Sequence, residues 1–166
     1  MTYPEHISSP HLEKGQIIPA FALPGTDGMP HGPWDYKQRE HLIVVFTGSA
    51  TTEAERELLC RFATHYTEFR EEYCALLAVT AEAVIANLQA QEQLHLPFPL
   101  LSDPTGRIIQ RYTTWEASSH AVKPCVILAD RYNALYEQWR ANDVRDLPPI
   151  KDLLEELQYM NKLCSL

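Results

Sequence analysis

Residues 41–73 carry the reading that decides the architecture. After His41 the chain runs Leu42-Ile43-Val44-Val45-Phe46, then Thr47-Gly48-Ser49-Ala50, then Thr51-Thr52-Glu53-Ala54-Glu55. Five consecutive large apolar residues, three of them β-branched, lie between a charged run and a Gly/Ser turn, a pattern that predicts a strand buried on both faces. Beyond the turn, Leu59, Phe62, Ala63, Tyr66, Phe69 and Tyr73 recur at three- and four-residue steps, which predicts one long amphipathic helix. Thr52 followed three residues on by Glu55 reads as a capping box that satisfies the first free N–H groups. A buried strand feeding a capped helix is where α/β proteins place binding and chemistry, because the helix start presents N–H groups and a positive dipole end. This turn, however, has no Cys, His or Lys and no phosphate-binding glycine pattern.

The pattern extends in both directions. Cys74-Ala75-Leu76-Leu77-Ala78-Val79-Thr80 predicts a second buried strand, and residues 82–94 a second helix with Val84, Ile85 and Leu88 turned inward. Strand, helix, strand, helix implies crossover connections and a mostly parallel centre. Pro97-Phe98-Pro99-Leu100-Leu101 is a short strand stopped by Ser102-Asp103-Pro104-Thr105-Gly106, and residues 107–112 form a brief helix. Cys125-Val126-Ile127-Leu128-Ala129 turns at Asp130-Arg131-Tyr132-Asn133 into residues 134–140, an antiparallel hairpin. Pro148 and Pro149 start a last amphipathic helix to about Asn161, with Leu153, Leu154, Leu157 and Met160 on one face. At the other end, residues 1–13 read as a loose leader, residues 15–24 as short extended pieces, Gly25-Thr26-Asp27-Gly28 as a turn, and residues 29–39 as an ordered loop. With no repeat and no linker, residues 1–166 are expected to form a single domain.

Composition sets the outer limits. A formal charge of -8 over 166 residues argues against nucleic acid or an anionic membrane as the main partner, since both are bound through an excess of Lys and Arg. No apolar run approaches the roughly 18 residues of a membrane span, and the polar N-terminus lacks a signal pattern, so residence in the cytoplasm is the expectation. The four cysteines, Cys60, Cys74, Cys125 and Cys164, show no short pairing or zinc spacing and are expected as free thiols. The seven histidines include no H-x-x-x-H pair on one helix, so neither a metal site nor a cofactor is expected. Ser49 after Gly48 lacks the second glycine of a nucleophile elbow. Trp34, Trp115, Tyr132, Tyr136 and Trp139 are spread evenly enough to predict ordinary core and rim packing rather than one binding groove.

The order of elements resembles the thioredoxin-like superfamily, and within it the peroxiredoxin branch of alkyl hydroperoxide reductase and thiol-specific antioxidant proteins. The likeness runs from Gly15 to Tyr159. Its most specific piece is residues 96–106, Leu-Pro-Phe-Pro-Leu-Leu-Ser-Asp-Pro-Thr-Gly, with Tyr112 following, which is similar to the branch's "FPLLSDP-x-G" segment. Gly15, Pro19, Phe21, Leu23 and the Asp27-Gly28 turn are similar to its opening "G-x-x-x-P-x-F-x-L". Pro124 with Cys125-Val126-Ile127-Leu128-Ala129-Asp130 falls where thioredoxin relatives open a strand with a cis-proline. The resemblance implies an α/β thioredoxin-like fold, with a central mixed sheet flanked by helices on both faces. It also implies thiol peroxidase chemistry and a cis bond before Pro124 facing the Thr51 turn.

The turn departs from that chemistry. Counted without gaps from Phe46, a thioredoxin C-x-x-C falls on Thr51 and Ala54; matched to the branch's "C-T-x-E", the peroxidatic cysteine falls on Ala50. Neither register holds a thiol, and a threonine hydroxyl is neither ionised near neutral pH nor able to cycle through sulfenic acid. Glu53 and Glu55 oppose a thiolate, and Lys123 is the only cation beside Pro124. Ala50, Thr51, Ala54, Lys123 and Pro124 therefore read as a vestigial site. Among the remaining thiols, Cys60 lies partly exposed in the helix, beyond the reach of the dipole, and Cys125 is strand packing close to the vacant turn; these two are the candidate displaced nucleophiles. Cys74 reads as core and Cys164 as a tail thiol. Two functions follow: a non-catalytic module whose groove beside Thr51 and Pro124 holds a peptide, a protein segment or a small ligand, or an antioxidant thiol oxidoreductase working through Cys60 or Cys125. The resemblance also leaves room for a homodimer.

Overall fold

The computed structural model of the chain describes residues 12–164. A short hairpin of β1 (Leu23–Pro24) and β2 (Pro30–His31) leads to β3 (His41–Phe46), α1 (Glu53–Thr64), α2 (Tyr66–Glu71), β4 (Cys74–Thr80) and α3 (Val84–Leu94). Then come β5 (Leu100–Ser102), α4 (Ile109–Tyr112), β6 (Trp115–Glu116), β7 (Ala121–Val122), β8 (Cys125–Ala129), β9 (Leu135–Arg140) and α5 (Ile150–Cys164). Five of the strands form one mixed sheet in the order β5-β4-β3-β8-β9. Strands β3, β4 and β5 are parallel, joined by helical crossovers, while β8 and β9 run antiparallel.

Side-chain alternation along each central strand divides the core in two. Ile43, Val45, Leu76, Ala78, Val126 and Leu128 face the layer that holds α1, α2 and α5. Leu42, Val44, Phe46, Leu77, Val79, Cys125 and Ile127 face α4 and the segment from Leu12 to Leu23. The expected mixed sheet with helices on both faces is what forms. Each fully buried Leu, Ile, Val or Phe contributes about 1.5–3 kcal/mol relative to exposure. An apolar run such as that of residues 42–46, filled on both sides, is therefore the mechanical centre of the fold.

Five expectations change. The long helix breaks at His65, whose φ of -100° and ψ of 11° leave the helical basin; Thr64 Oγ1 bonds back to Cys60 O, and His65 Nδ1 pairs with Glu68 Oε1. Such local side-chain bonds compete with helix continuation. Tyr73 follows the helix in a left-handed conformation, so its ring points to solvent rather than continuing the apolar face. Helix α3 turns Asn87 and Ala90 inward and leaves Ile85 and Leu88 exposed, because the sheet end it covers is polar. Thr80 Oγ1 donates to Asn87 Oδ1, and Asn87 Nδ2 donates to Ser102 Oγ, both at 2.8 Å, which satisfies groups that would otherwise be buried unpaired.

No described peptide bond is cis, so Lys123-Pro124 is trans. Pro124 stands just before β8, where its missing N–H is not needed, and its carbonyl accepts from Ala141 N at 3.1 Å. The register that put a C-x-x-C on Thr51 and Ala54 loses its support, and the one centred on Ala50 remains. Of the expected leader, residues 1–11 lie outside the described residues; Leu12 at its end is buried in the core, with its carbonyl bonded by Gln138 Nε2 at 2.5 Å. Among the described residues no helix is long and apolar enough to cross a membrane.

Candidate functional site

The sheet hands the chain to the turn in a fixed pose. Thr47 N donates to Val79 O at 3.0 Å, and Ala81 N donates to Gly48 O at 3.1 Å, so residues 47 and 48 still belong to the edge defined by β3 and β4. Thr52 is the N-cap of α1, with an extended backbone, and its hydroxyl accepts from Glu55 N at 3.2 Å. That is one half of the capping box read in the sequence; in place of the other half, the Glu55 carboxylate meets the Thr52 hydroxyl instead of its backbone N–H.

Glu55 does more than cap. Its Oε2 accepts from Thr47 Oγ1 at 2.5 Å and from Ser49 N at 2.7 Å. Its Oε1 accepts from Ser49 Oγ and from Thr52 Oγ1, each at 2.7 Å. Four donors converge on one carboxylate, an acceptor-only group whose charge also suits the helix start. The anion held at this N-terminus is thus the chain's own side chain. Ala50 is 2 % exposed and packs in the core layer that includes Leu58 and Leu59. Thr51 projects outward, with its Oγ1 2.8 Å from Ser49 Oγ.

Two separate grooves flank this turn. The first, of about 450 Å³, runs between residues 47–49 with Ala54 and Glu55 on one side and the tip of the β6–β7 hairpin, Pro124 and residues 142–144 on the other. Its lining includes the carboxylates of Glu55, Glu82 and Asp143, the ring of His120 and the apolar side chains of Val122 and Val144, with no Lys, Arg or Cys. Lys123 is not part of it; Lys123 N donates to Thr114 O, and its carbonyl accepts from Thr113 Oγ1. The second groove, of about 640 Å³, holds Thr51, Glu53, Arg56 and Cys60. The vestigial set is therefore divided: Ala54 and Pro124 share the first groove, Thr51 joins Cys60 in the second, Ala50 is beneath the surface, and Lys123 lies outside both.

The candidate thiols also differ in kind. Cys60 is half-buried. Cys125 is 0 % exposed, and the alternation of β8 turns it to the Phe46 and Tyr112 face, opposite the layer of α1. Burial pushes its thiol up to about 12, although the neighbouring Arg140 guanidinium pulls the other way. The expected proximity to the turn holds for its backbone, which pairs with Phe46 one residue before Thr47, but its side chain packs in the core layer opposite to that of Ala50. Cys74 is fully buried, with its thiol held far above the ordinary range by that burial. Among the described residues no three His, Cys, Asp or Glu side chains gather as metal ligands.

Three parts of this arrangement escape a linear reading. The gathering of Thr47 and Ser49 onto Glu55 needs the return of the turn over the sheet edge. The β6–β7 hairpin has only two residues per strand, too short for any alternation to register. Residues 142–144 are signalled only by an Asx pattern, in which Asp143 Oδ1 accepts from Arg145 N at 2.9 Å.

Comparison with known proteins now has a geometry to attach to. The sequence model of the AhpC/TSA family matches residues 14–138. Peroxiredoxin Bcp of Bacillus subtilis is 25% identical over 161 residues, covering 87% of this chain and 99% of that protein. Peroxidoxin BcpB from Mycobacterium tuberculosis superposes with a TM-score of 0.79 at 18% identity, covering 90% of this chain and 98% of that one. AhpC from Enterococcus faecalis superposes at 0.81 with 13% identity, covering 92% and 94%. The mixed sheet, its flanking helices and the matched segment agree, and the chain belongs to the AhpC/TSA family, with the thioredoxin-like fold of the peroxiredoxins.

Proposed function

We propose that this protein is a peroxiredoxin-fold binding module in which the groove beside the start of α1 holds a short peptide segment or a small ligand, without thiol peroxidase turnover. The observation that carries the reading is the closed network on Glu55. The helix start that would stabilise a thiolate is filled by a carboxylate receiving four hydrogen bonds. The residue matched to the peroxidatic position is the buried Ala50.

Peroxide reduction in this family needs a thiolate to attack the O–O bond, becoming a sulfenic acid as the peroxide leaves as an alcohol or water. The first groove offers hydroxyls, carboxylates and small apolar side chains instead. Its volume lies within the range of small-ligand pockets, roughly 300–1,000 Å³. A lining of three carboxylates with no Lys or Arg favours neutral or cationic groups over anions.

The alternative is an oxidoreductase using Cys60, supported by the opening of that half-buried thiol onto a groove shared with Arg56. A peroxide assay with a thiol reductant, run beside NMR titration of short neutral peptides, separates the two. The binding reading expects no turnover above that of the reductant alone, with shifts at the Ser49, His120 and Val144 amides. Turnover abolished by Cys60→Ser would replace it with the enzyme reading.

A further inference from the structure

A groove of about 640 Å³ that shares no lining residue with the one beside the helix start of α1 lies between β9 and α5. Its aromatic members are Tyr136 and Trp139 from β9 and Tyr159 from α5; its charged members are Asp152, Glu155 and Glu156. Tyr136 and Trp139 pack their inner faces on the core, and Tyr159 is exposed. Asp152, Glu155, Glu156 and Tyr159 fall at i, i+3, i+4 and i+7 of one helix, the spacing that aligns side chains along a single face.

No Lys or Arg lines this groove. Of the cations nearby, Lys14 Nζ pairs outside the groove with Glu137 at 2.9 Å, while Lys151 Nζ lies 4.0 Å from the groove's own Glu155, a solvent-exposed pair that a basic ligand would displace. Aromatic faces attract cations through their quadrupoles, and flanking carboxylates add direct charge complementarity. Together they select a positively charged group with an apolar stem, the description of a lysine or arginine side chain.

We propose that the β9–α5 groove docks a basic, extended peptide segment of a partner protein. The seven residue steps from Asp152 to Tyr159 span about 10 Å along the helix, a length that matches about three residues of extended chain. A segment with basic residues at alternate positions places both charges on one side, one near Asp152 and the other near Glu155 and Glu156. An isolated small cation would use only part of that length. This site is independent of the groove beside α1.

The probe is an acetylated, amidated pentapeptide of alternating arginine and alanine, titrated into the full chain and followed by the Trp139 indole N–H signal and by calorimetry. Saturable binding with a shift of that signal is expected, with no binding of the glutamate-alanine counterpart. Asp152→Asn with Glu155→Gln should weaken it about tenfold, and Tyr159→Ser, which leaves charge unchanged, about threefold to fivefold. All three positions are exposed, and circular dichroism checks that each variant remains folded. A control pair, Glu71→Gln with Glu92→Gln, removes equal charge elsewhere and should change nothing. The proposal is overturned if the control pair weakens binding as much, if Tyr159→Ser has no effect, or if free arginine amide binds as tightly as the pentapeptide.

Discussion

The hydroxyl of Thr47 lies 2.5 Å from the carboxylate of Glu55, joining the residue that follows the central strand to the first turn of the helix it feeds. Thr47 is fully buried, so the hydroxyl has no solvent alternative. Thr47→Val keeps the shape and removes the donor; a hydrogen bond to a charged group is worth about 1.5–3 kcal/mol, and that is the expected loss of unfolding free energy. Glu55→Ala should cost at least as much, because Thr47, Ser49 and Thr52 lose their acceptor together. Urea denaturation of the two variants measures both, and equal stability to wild type would show the network to be incidental.

Thiol accessibility should divide the cysteines in two. Cys60 and Cys164 are expected to react with a disulfide reagent in the folded protein, and Cys74 and Cys125 only on unfolding. The buried pair also sets an alkaline limit. Because burial raises the Cys125 thiol from 9.0 to about 12, its contribution is complete below about pH 9 and is lost as pH rises toward 12. Tyr36, pushed up to about 12 chiefly by burial with Asp35 and Glu40 adding to it, acts in the same direction, its contribution being complete below about pH 10 and lost as pH rises toward 12. A stability profile across pH 8–12 should therefore fall, and fall less steeply in Cys125→Ser.

Asp27 behaves in the opposite sense. Its carboxylate accepts from Met29 N at 3.1 Å and lies 2.7 Å from His31 Nε2. Burial alone would raise its pKa, but the hydrogen bonds of His31 and of the Met29 N–H outweigh it and hold the carboxyl below its ordinary 3.8. The contribution is present above that value and is lost as pH falls through the lower folded value. In this exposed hairpin it amounts to at most about 1 kcal/mol. Amide shifts of Met29 and His31 should titrate below pH 4, and Asp27→Asn should flatten them.

Gly106 supports the wall of the α1 groove. Its φ is +68°, and a Cβ there would lie 2.2 Å from the Trp115 ring. Trp115 opens the β6–β7 hairpin, whose tip lines the groove. Gly106→Ala should cost about 1–3 kcal/mol and broaden the hairpin signals, with partial recovery on adding Trp115→Leu. An unchanged melting temperature would contradict the packing described.

What the sequence made legible follows from range. The runs at residues 42–46, 74–80 and 125–129 repeat one chemical character over five residues or more, long enough for burial on both faces to show. Tyr73 and Ile85 kept the helical spacing yet face solvent, because one follows the helix end and the other lies opposite a buried Asn87. Nothing in the spacing of apolar residues reveals that a helix will turn a polar face inward to meet Thr80 and Ser102. The absence of a thiol at Ala50, Thr51 and Ala54 was visible at once. What replaced it, the convergence of Thr47, Ser49 and Thr52 on Glu55, depends on contacts across the turn that no period encodes. The cis bond expected at Lys123-Pro124 rests on family resemblance alone, and the trans bond overturns it.

The turn's acidity gives a graded expectation. Thr51→Cys places a thiol just before the N-cap, beside Ser49 and two residues before Glu53. Its pKa should fall when Glu53→Gln and Glu55→Gln are added, since each unit corresponds to about 1.4 kcal/mol of thiolate stabilisation. Thiolate absorbance near 240 nm against pH gives the value, and identical titrations in the single and triple variants would remove electrostatics from the account.

The central claim meets its most direct test in the initial rate of hydrogen peroxide consumption by the wild-type chain with a thiol reductant, measured alongside Cys60→Ser and Cys125→Ser. The account expects all three proteins to match the reductant alone, with no sulfenic acid trapped after peroxide. A wild-type rate well above that baseline, abolished by either serine substitution, would contradict it and restore the chain to the peroxidases.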